Sequence, residues 1–332
     1  MSTAAPVPET WELTGDDAAE TLRNTGRRAL LVGAFQRMRA ADGFSHARSF
    51  AFLVSLLLVQ ATIALVGLAM AFGDSRFSTG IVSMIQNAVP GPAGELLTNA
   101  VSQASEVGKS KRYLGLVIGL VGSLISGTTA LGQLERGLNR LYGVEQDRPA
   151  KEKYGRAFLL ALASGVLVAI AFVAIGFGSA VGQQLHSGWV DTTWNVVRWP
   201  VGVAGMVAAM ALLFRWCPRR HQPNWSSLAF GSSVSVFLWF VVTVAMGIVF
   251  RISTSFGDTY GSLAGIVALQ LWSMLSCMAI IFGGAVAAQL EAVRAGVPGP
   301  RVPAPDREEP TGPSDEDVLA AASVPDLPVL GA

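Results

Sequence analysis

The residues that could do chemistry are few and far apart in this chain. Its three histidines, His46, His186 and His221, form no H-x-x-x-H pair, and no C-x-x-C pair is present. The sequence also lacks the G-x-x-x-x-G-K loop that holds phosphates. Because a nuclease needs acidic or metal-binding groups together in an aqueous cleft, the sequence predicts no enzyme, no metal site, no cofactor and no nucleic-acid partner.

Uncharged polar residues inside long apolar runs are the remaining candidates. A proton-coupled pump usually buries a carboxylate or a histidine at mid-depth, and none occurs at the centres of these runs. We interpret the amides and hydroxyls as hydrogen bonds between helices. The alternative is a weakly polar path for an amphipathic or lipid-like substrate, formed by Gln60, Thr128, Thr129 and Gln270.

Charged residues gather just beyond the apolar runs. One cluster, expected at the cytoplasmic side, consists of Glu135, Arg136, Arg140 and Arg215. We interpret this cluster as lipid-headgroup contacts that fix the topology. The alternative is a charged gate with an ion pair between Glu135 and Arg215, since both residues follow spans that run inward.

The elements that carry these residues are membrane helices. The chain of 332 residues is 51% hydrophobic and 14% charged, whereas a soluble domain has about 25% charged residues. A helix of about 20 apolar residues crosses a bilayer. The sequence therefore predicts an all-α polytopic membrane protein with six transmembrane helices plus amphipathic interfacial helices. The predicted spans are residues 49–72, 113–133, 157–181, 199–213, 227–250 and 262–290.

The other segments are polar or amphipathic. Residues 1–15 are expected to be disordered, and so is the proline-rich acidic tail at residues 292–332. The membrane domain, residues 16–291, begins with a basic amphipathic helix at residues 16–40. This helix either lies in the membrane interface or packs on the protein's own loops. A helical hairpin at the interface is predicted for residues 73–111.

A stripe of small residues marks the second span. Gly115, Gly119, Ser123 and Gly127 recur every four residues and therefore share one helix face. Small residues at this spacing let two membrane helices approach closely. We predict that this face packs against another helix.

Basic residues decide the orientation of a membrane protein. Of the 24 lysines and arginines, eighteen lie on the side of the predicted spans that also holds both termini. The sequence therefore predicts a plasma-membrane protein with both termini in the cytoplasm.

Three strings in the chain carry a family resemblance. They are G-L-N-R-L-Y-G-V at residues 137–144 with R-P at 148–149, L-F-R-W-C-P at 213–218, and Y-G-S-L-A at 260–264 with L-W at 271–272. In this order the chain resembles the YihY/BrkB family of membrane proteins, formerly labelled ribonuclease BN-like. The residues that carry the resemblance are Asn139, Tyr142, Arg148, Pro218, Tyr260, Gly261 and Trp272.

The chain departs from the family pattern at two places. A proline usually follows the Ser-Leu pair of the first span, but Ser55-Leu56 is followed by two leucines. The last helix of the family often ends in G-A-E-L-N-A. Here Gly284-Ala285 is followed by Val286-Ala287, so the acid and the amide are expected to be missing.

The resemblance and the architecture together favour a permease- or exporter-like protein for an envelope lipid or an amphipathic compound. The alternative is a membrane scaffold that organises envelope partners through its acidic tail, while a membrane-bound ribonuclease is disfavoured. The expected partner is the lipid bilayer, and the sequence leaves the oligomeric state open.

Overall fold

The computed structural model describes residues 4–10, 12–72, 88–110, 113–176, 188–253 and 260–300, together with Val82, Ile85 and Phe256. In these ranges the chain is almost entirely helical and contains no strand. Most of the predicted loop at residues 73–87 and the predicted tail beyond residue 300 lie outside the described residues.

Nine helices follow one another along the described chain. They are α1 (Gly15–Thr25), α2 (Arg27–Ala40), α3 (Gly43–Phe72), α4 (Gly91–Ser110), α5 (Leu114–Leu141), α6 (Ala150–Gly176), α7 (Gly188–Trp216), α8 (Trp225–Ile252) and α9 (Ala264–Arg294). Six of them, α3 and α5 to α9, are long and apolar enough to cross a membrane. This confirms the predicted all-α architecture with six spans.

Each of the six spanning helices extends beyond its predicted span at one end or at both. The predicted fourth span begins at residue 199, but α7 begins at Gly188 and carries Pro200 in its interior. Proline inside a helix removes one backbone hydrogen bond without necessarily ending the helix. At the last span, a short 3-10 turn at Gly261–Leu263 leads into α9.

The basic amphipathic segment at residues 16–40 forms two helices instead of one. Gly26, with φ of +82°, separates α1 from α2, and this left-handed backbone conformation favours glycine. The α1 helix starts at a capping box between Thr14 and Asp17. One face of α2, with Leu30 and Ala34, is buried in the bundle core, so the helix packs on the protein itself. Its opposite side exposes three large apolar side chains, Leu31, Val32 and Phe35.

Residues 4–10 form neither helix nor strand but pack against the bundle, where the composition led us to expect a disordered segment. The amide of Ala4 donates to the Arg140 carbonyl, and the amide of Val7 donates to the Tyr142 carbonyl. Ala4 and Val7 are buried. These hydrogen bonds tie the N-terminal segment to the C-terminal end of α5.

The α9 helix lies at the centre of the bundle. It contacts α8, α3, α4 and α2 along its length and also reaches α1 and α5. Most of its residues between Ala279 and Ala292 are buried. The α4 helix packs on α9 and α3, where Ala93 and Leu97 join a second apolar cluster with Trp272.

The small-residue stripe of α5 packs against α3, but only over part of its length. A Cβ atom at Gly119 would lie 2.8 Å from the Cα of Ala64 and 3.0 Å from the carbonyl oxygen of Gln60. A Cβ atom at Gly115, one turn earlier, would have no atom within 4 Å. The close approach of α3 and α5 therefore includes Gly119 but not Gly115.

This difference leads to a test within one helix. We expect Gly119→Leu to lower the free energy of unfolding by about 1–3 kcal/mol or more, because the added side chain meets backbone that cannot move aside. Thermal unfolding of the purified protein in detergent measures the effect. Gly115→Leu is the matched control and should change stability little. Equal tolerance of both substitutions would contradict the packing of Gly119 against α3.

Candidate functional site

An apolar cavity, partly open to its surroundings, lies between the helices near the middle of the spans. Its volume is about 180 Å³, and it is bounded by α3, α6, α7, α8 and α9. Its walls include Val54 and Leu58 of α3, Val168 of α6, Met206 and Met210 of α7, Trp239 of α8, and Trp272, Ser273 and Ser276 of α9. The cavity is thus formed by side chains from five of the six spans.

The walls of the cavity combine rigid and adaptable groups. The indole Nε1 of Trp272 donates to the Thr243 hydroxyl at 3.1 Å, which fixes that ring. Methionine side chains such as Met206 and Met210 adapt readily to different shapes. The buried hydroxyls of Ser273 and Ser276 have no hydrogen-bond partner in the described part of the chain. The cavity therefore offers an apolar space with two hydroxyls at its α9 wall.

The four residues of the predicted polar path do not line this cavity. The Gln60 amide oxygen accepts a hydrogen bond from Ser126 at 2.9 Å, and the Gln270 amide oxygen accepts one from Ser55 at 2.7 Å. These bonds join α3 to α5 and α9 to α3. The Thr129 hydroxyl donates to a carbonyl of its own helix, and Thr128 is half-buried on α5. The structure thus places the two amides in contacts between helices, as our first interpretation expected.

A buried polar network forms the end of the bundle where α5, α7 and α9 finish and α6 and α8 begin; we call this the polar end. Arg37 of α2 is completely buried there. Its Nε donates to the Gln289 amide oxygen at 2.8 Å, and one terminal nitrogen donates to the carbonyls of Ala5 and Leu141 at 2.9 and 3.2 Å. Burial lowers the pKa of Arg37 to about 10, so the group stays charged at neutral pH.

An ion pair between Arg220 and Glu291 lies next to Arg37. Two guanidinium nitrogens of Arg220 donate to the two carboxylate oxygens at 2.9 and 2.7 Å, and both side chains are only 2% exposed. The Arg220 guanidinium also stacks over the Tyr142 ring at 4.5 Å. Burial, and then the nearby Glu291 carboxylate, raise the pKa of the Tyr142 hydroxyl. Thr10 donates to Glu291 through its amide and its hydroxyl, which anchors the N-terminal segment here.

The last helix carries an amide and an acid about one turn after the place where the family pattern has an acid and an amide. Residues 287–292 read A-A-Q-L-E-A, with the amide before the acid, whereas the family pattern G-A-E-L-N-A has the acid before the amide. The structure gives both side chains buried partners, Arg37 for Gln289 and Arg220 for Glu291. Val286 and Ala287 follow Gly284-Ala285, so the acid and the amide are absent at that place, and Gln289 and Glu291 supply buried polar groups further along the helix.

The predicted charged cluster lies at the polar end, but its members pair differently from our expectation. Glu135 forms a buried ion pair with Arg148 at 3.2 Å, not with Arg215. Arg215 donates to the Pro223 carbonyl at 2.6 Å and stacks on Trp225. The other two members bond within the segment that follows α5: Arg136 pairs with Asp147 at 3.0 Å, and Arg140 donates to the Val144 and Glu145 carbonyls.

Two of the three resemblance strings meet in space at this end. The Asn139 amide nitrogen donates to Asp147 at 3.1 Å, while its oxygen accepts from the Arg219 amide at 2.8 Å. Arg148 donates to the carbonyls of Cys217 and Pro218 at 2.7 and 2.8 Å. The connections after α5 and after α7 are therefore joined by side-chain bonds.

The carboxylate of Asp147 is held ionised by this arrangement. Its partial burial alone would raise its pKa, but hydrogen bonds from Asn139, Arg136 and Lys153 outweigh that effect and lower the pKa to about 2. The remaining resemblance residues lie away from the polar end. Tyr260 is exposed, and Gly261 has a φ of +50° just before α9. Trp272 lines the cavity.

An open cleft of about 690 Å³ lies at the surface of the polar end. Five arginines and two glutamates line it, namely Arg148, Arg156, Arg215, Arg219, Arg220, Glu9 and Glu152. Trp216, Pro218, His221 and Gln222 complete its walls. We refer to it as the basic cleft.

Sequence reasoning missed Arg37, Arg220, Gln289 and Glu291. A signal existed for Arg37, because it stands three residues after Ala34 and seven after Leu30, on the buried face of α2. A charged residue at such a position needs a buried partner. No comparable signal identifies Arg220, which lies in a short polar connection.

The helices, the cavity and the buried polar end define a multi-pass helical membrane protein. The family model of the virulence factor BrkB matches residues 34–307, and the chain belongs to this family. It is 25% identical to the putative ribonuclease-like protein YfkH of Bacillus subtilis, over 79% of this chain and 95% of that protein. No solved structure matches the chain.

Two further relatives are longer than this chain. It is 28% identical to a UPF0761 membrane protein of Teredinibacter turnerae, over 58% of this chain and 44% of that protein. It is 22% identical to a UPF0761 membrane protein of Rhodospirillum rubrum, over 79% of this chain and 57% of the relative. The chain thus spans about half the length of these two relatives.

Proposed function

We propose that this BrkB-family protein is a permease or exporter for an envelope lipid or another amphipathic compound, and that it is not an enzyme. The observation that carries the proposal is the apolar cavity between five spans at mid-depth. A fully packed bundle that only anchored partners would need no such space, because membrane helices gain stability from close packing.

The size and chemistry of the cavity suit part of a lipid. An apolar cavity of about 150 Å³ can hold a molecule such as benzene, so a space of about 180 Å³ holds a short stretch of hydrocarbon. A whole drug-sized ligand needs about 300–1,000 Å³. The cavity therefore fits one segment of an acyl chain during passage, and the Met206 and Met210 side chains could move to enlarge it.

Charge distribution supports the orientation that we propose. The polar end carries the basic connections after α5 and after α7, and basic segments of membrane proteins remain in the cytoplasm. We place this end and both termini at the cytoplasmic face of the plasma membrane. An exported amphiphile would then meet the basic cleft before it reached the apolar cavity.

Lipid transfer in proteoliposomes tests the proposal. Vesicles containing the full chain and a fluorescent short-chain phosphatidylglycerol are treated with dithionite, which destroys only the dye in the outer leaflet. Faster loss of inner-leaflet dye than in empty vesicles is expected. Val168→Trp fills the cavity from α6, and blocking this space should slow transfer by at least about fivefold, which corresponds to about 1 kcal/mol on the barrier.

Val166→Trp is the matched control. Val166 lies two residues away on α6 and is exposed, so its replacement should leave the transfer rate unchanged. If the full chain transfers the lipid no faster than empty vesicles, the proposed transport of phospholipids is wrong. Equal rates in the two tryptophan variants would show that the cavity is not on the path.

A further inference from the structure

The arginines of the basic cleft outnumber the carboxylates that could neutralise them. Two of its arginines have buried carboxylate partners, Glu135 for Arg148 and Glu291 for Arg220. Arg215 and Arg219 donate only to backbone carbonyls, at 2.6 Å to Pro223 and 2.9 Å to Asp147. Among the residues that the structure describes, neither forms an ion pair with a carboxylate. The surplus charge is therefore concentrated on the α7 side of the cleft.

Arg156, the third arginine of this surface, shares the carboxylate of Glu152 with Arg148. Arg156 lies 3.7 Å from a Glu152 oxygen, and the same oxygen lies 3.5 Å from Arg148. One carboxylate thus faces two guanidinium groups. A guanidinium group has five N–H donors, so Arg156, Arg215 and Arg219 each keep donors for a further acceptor.

A buried amide in the wall of the cleft lacks a partner. Gln222 is 6% exposed, and neither its Nε2 nor its Oε1 has a hydrogen-bond partner in the described ranges. The amide lies beside the buried hydroxyl of Tyr142. Gln222 therefore forms a polar part of the cleft wall, while the arginines supply the donors that a ligand can reach.

Two tryptophans place the cleft at the level of lipid headgroups. Arg156 stacks on Trp216 at 6.0 Å, and Arg215 stacks on Trp225 at 5.5 Å. Both rings are nearly half exposed, at the last residue of α7 and the first residue of α8. Tryptophan is enriched where membrane helices leave the apolar core, so the cleft opens beside the headgroup layer.

We propose that the basic cleft binds the phosphate of an anionic phospholipid, through the guanidinium groups of Arg156, Arg215 and Arg219 with the Gln222 amide at its wall. Arginine is suited to this role because its planar donors match two phosphate oxygens at once. The site does not depend on the transport proposed above, since it is defined by binding at equilibrium. Free phosphate has the same recognition chemistry, and the experiment separates the two sources.

The experiment measures binding to the purified full chain in detergent. Dioctanoyl phosphatidylglycerol, dioctanoyl phosphatidylcholine and inorganic phosphate are titrated separately, and bound ligand is counted by native mass spectrometry. We expect phosphatidylglycerol to bind most tightly and to weaken with rising salt, because the attraction is electrostatic. Arg219→Gln and Arg215→Gln should each weaken its binding by about tenfold, as expected for one lost charge-assisted contact.

Two further variants make the result specific. Arg219→Lys keeps the charge but loses the planar pair of donors, so it should recover only part of the affinity. Arg28→Gln removes an exposed arginine from α2, outside the cleft, and should leave binding unchanged. Arg215 also donates to the Pro223 carbonyl, so Arg215→Gln could fail to fold. In that case the binding measured for Arg219→Gln tests the proposal alone, because Arg219 is exposed.

Three outcomes would overturn the proposal. Unchanged phosphatidylglycerol binding in Arg219→Gln would remove the cleft as its site. An equal loss in Arg28→Gln would show that only general charge matters. Inorganic phosphate binding as tightly as the lipid would assign the cleft to a soluble anion. A failed lipid-transfer assay with intact binding would leave this proposal standing, so the two proposals fail separately.

Discussion

Replacing Glu291 with glutamine is expected to lower the free energy of unfolding by about 3–5 kcal/mol, because Arg220 then remains buried without its counter-charge. The pair is bidentate at 2.7 and 2.9 Å, and both side chains are almost fully buried. Glu291 also accepts two hydrogen bonds from Thr10. The loss should appear as a lower midpoint of thermal unfolding in detergent and as faster proteolysis of the released N-terminal segment.

The neighbouring Arg294 supplies the control on the same helix. It pairs with Asp17 at 3.0 Å and with Glu20 at 3.5 Å, but at a partly exposed site. Arg294→Gln should change stability much less, because water screens such pairs. The double variant Glu291→Leu and Arg220→Met removes both buried charges together and should be less harmful than Glu291→Gln. Equal losses for Glu291→Gln and Arg294→Gln would contradict the buried pair.

The six spans were predictable from sequence because apolar runs of sufficient length have one structural solution in a membrane. The clustering of Glu135, Arg136, Arg140 and Arg215 at one end followed from the same reasoning, since each residue stands at the end of a span. Their pairing did not follow. Glu135 meets Arg148 rather than Arg215, because the connection after α5 folds back over its own helix.

The buried polar network shows more clearly which contacts could not be predicted from the sequence. Arg37 contacts Gln289, 252 residues away in sequence, and Thr10 contacts Glu291, 281 residues away. Such contacts depend on how α2 and the N-terminal segment dock on α9, and local propensity carries no information about docking. Composition predicted disorder for residues 1–15, yet backbone bonds from Ala4 and Val7 to the end of α5 hold the segment in place.

The apolar cavity was unpredictable for a related reason. Met206, Trp239 and Ser276 look like ordinary residues of membrane helices, and each belongs to a different span. A partly open cavity arises where five helices leave space between them, which is a property of their joint packing. Polar residues, by contrast, are easily seen in a sequence. Gln60 and Gln270 suggested a path, but their amide oxygens accept hydrogen bonds from serines of neighbouring helices.

Replacing Arg148 with methionine is expected to have the second large effect. Arg148 pairs with the buried Glu135 at 3.2 Å and donates to the Cys217 and Pro218 carbonyls at 2.7 and 2.8 Å. Its loss leaves a buried carboxylate unpaired and separates the connection after α5 from the connection after α7. We expect a loss of about 3–5 kcal/mol in the free energy of unfolding, measured by thermal or denaturant unfolding in detergent.

A pair of double-mutant cycles identifies the true partner of Glu135. The first cycle combines Glu135→Gln with Arg148→Met. The double variant should lose about 0.5–3 kcal/mol less free energy of unfolding than the two single variants lose in sum. In the cycle of Glu135→Gln with Arg215→Gln, the effects should add, because Arg215 donates to the Pro223 carbonyl instead. Coupling in the second cycle and additivity in the first would restore the pair that sequence alone suggested. The predicted pattern would instead show that Glu135 joins α5 to the two connections of the polar end, which leaves Arg215 available to the basic cleft.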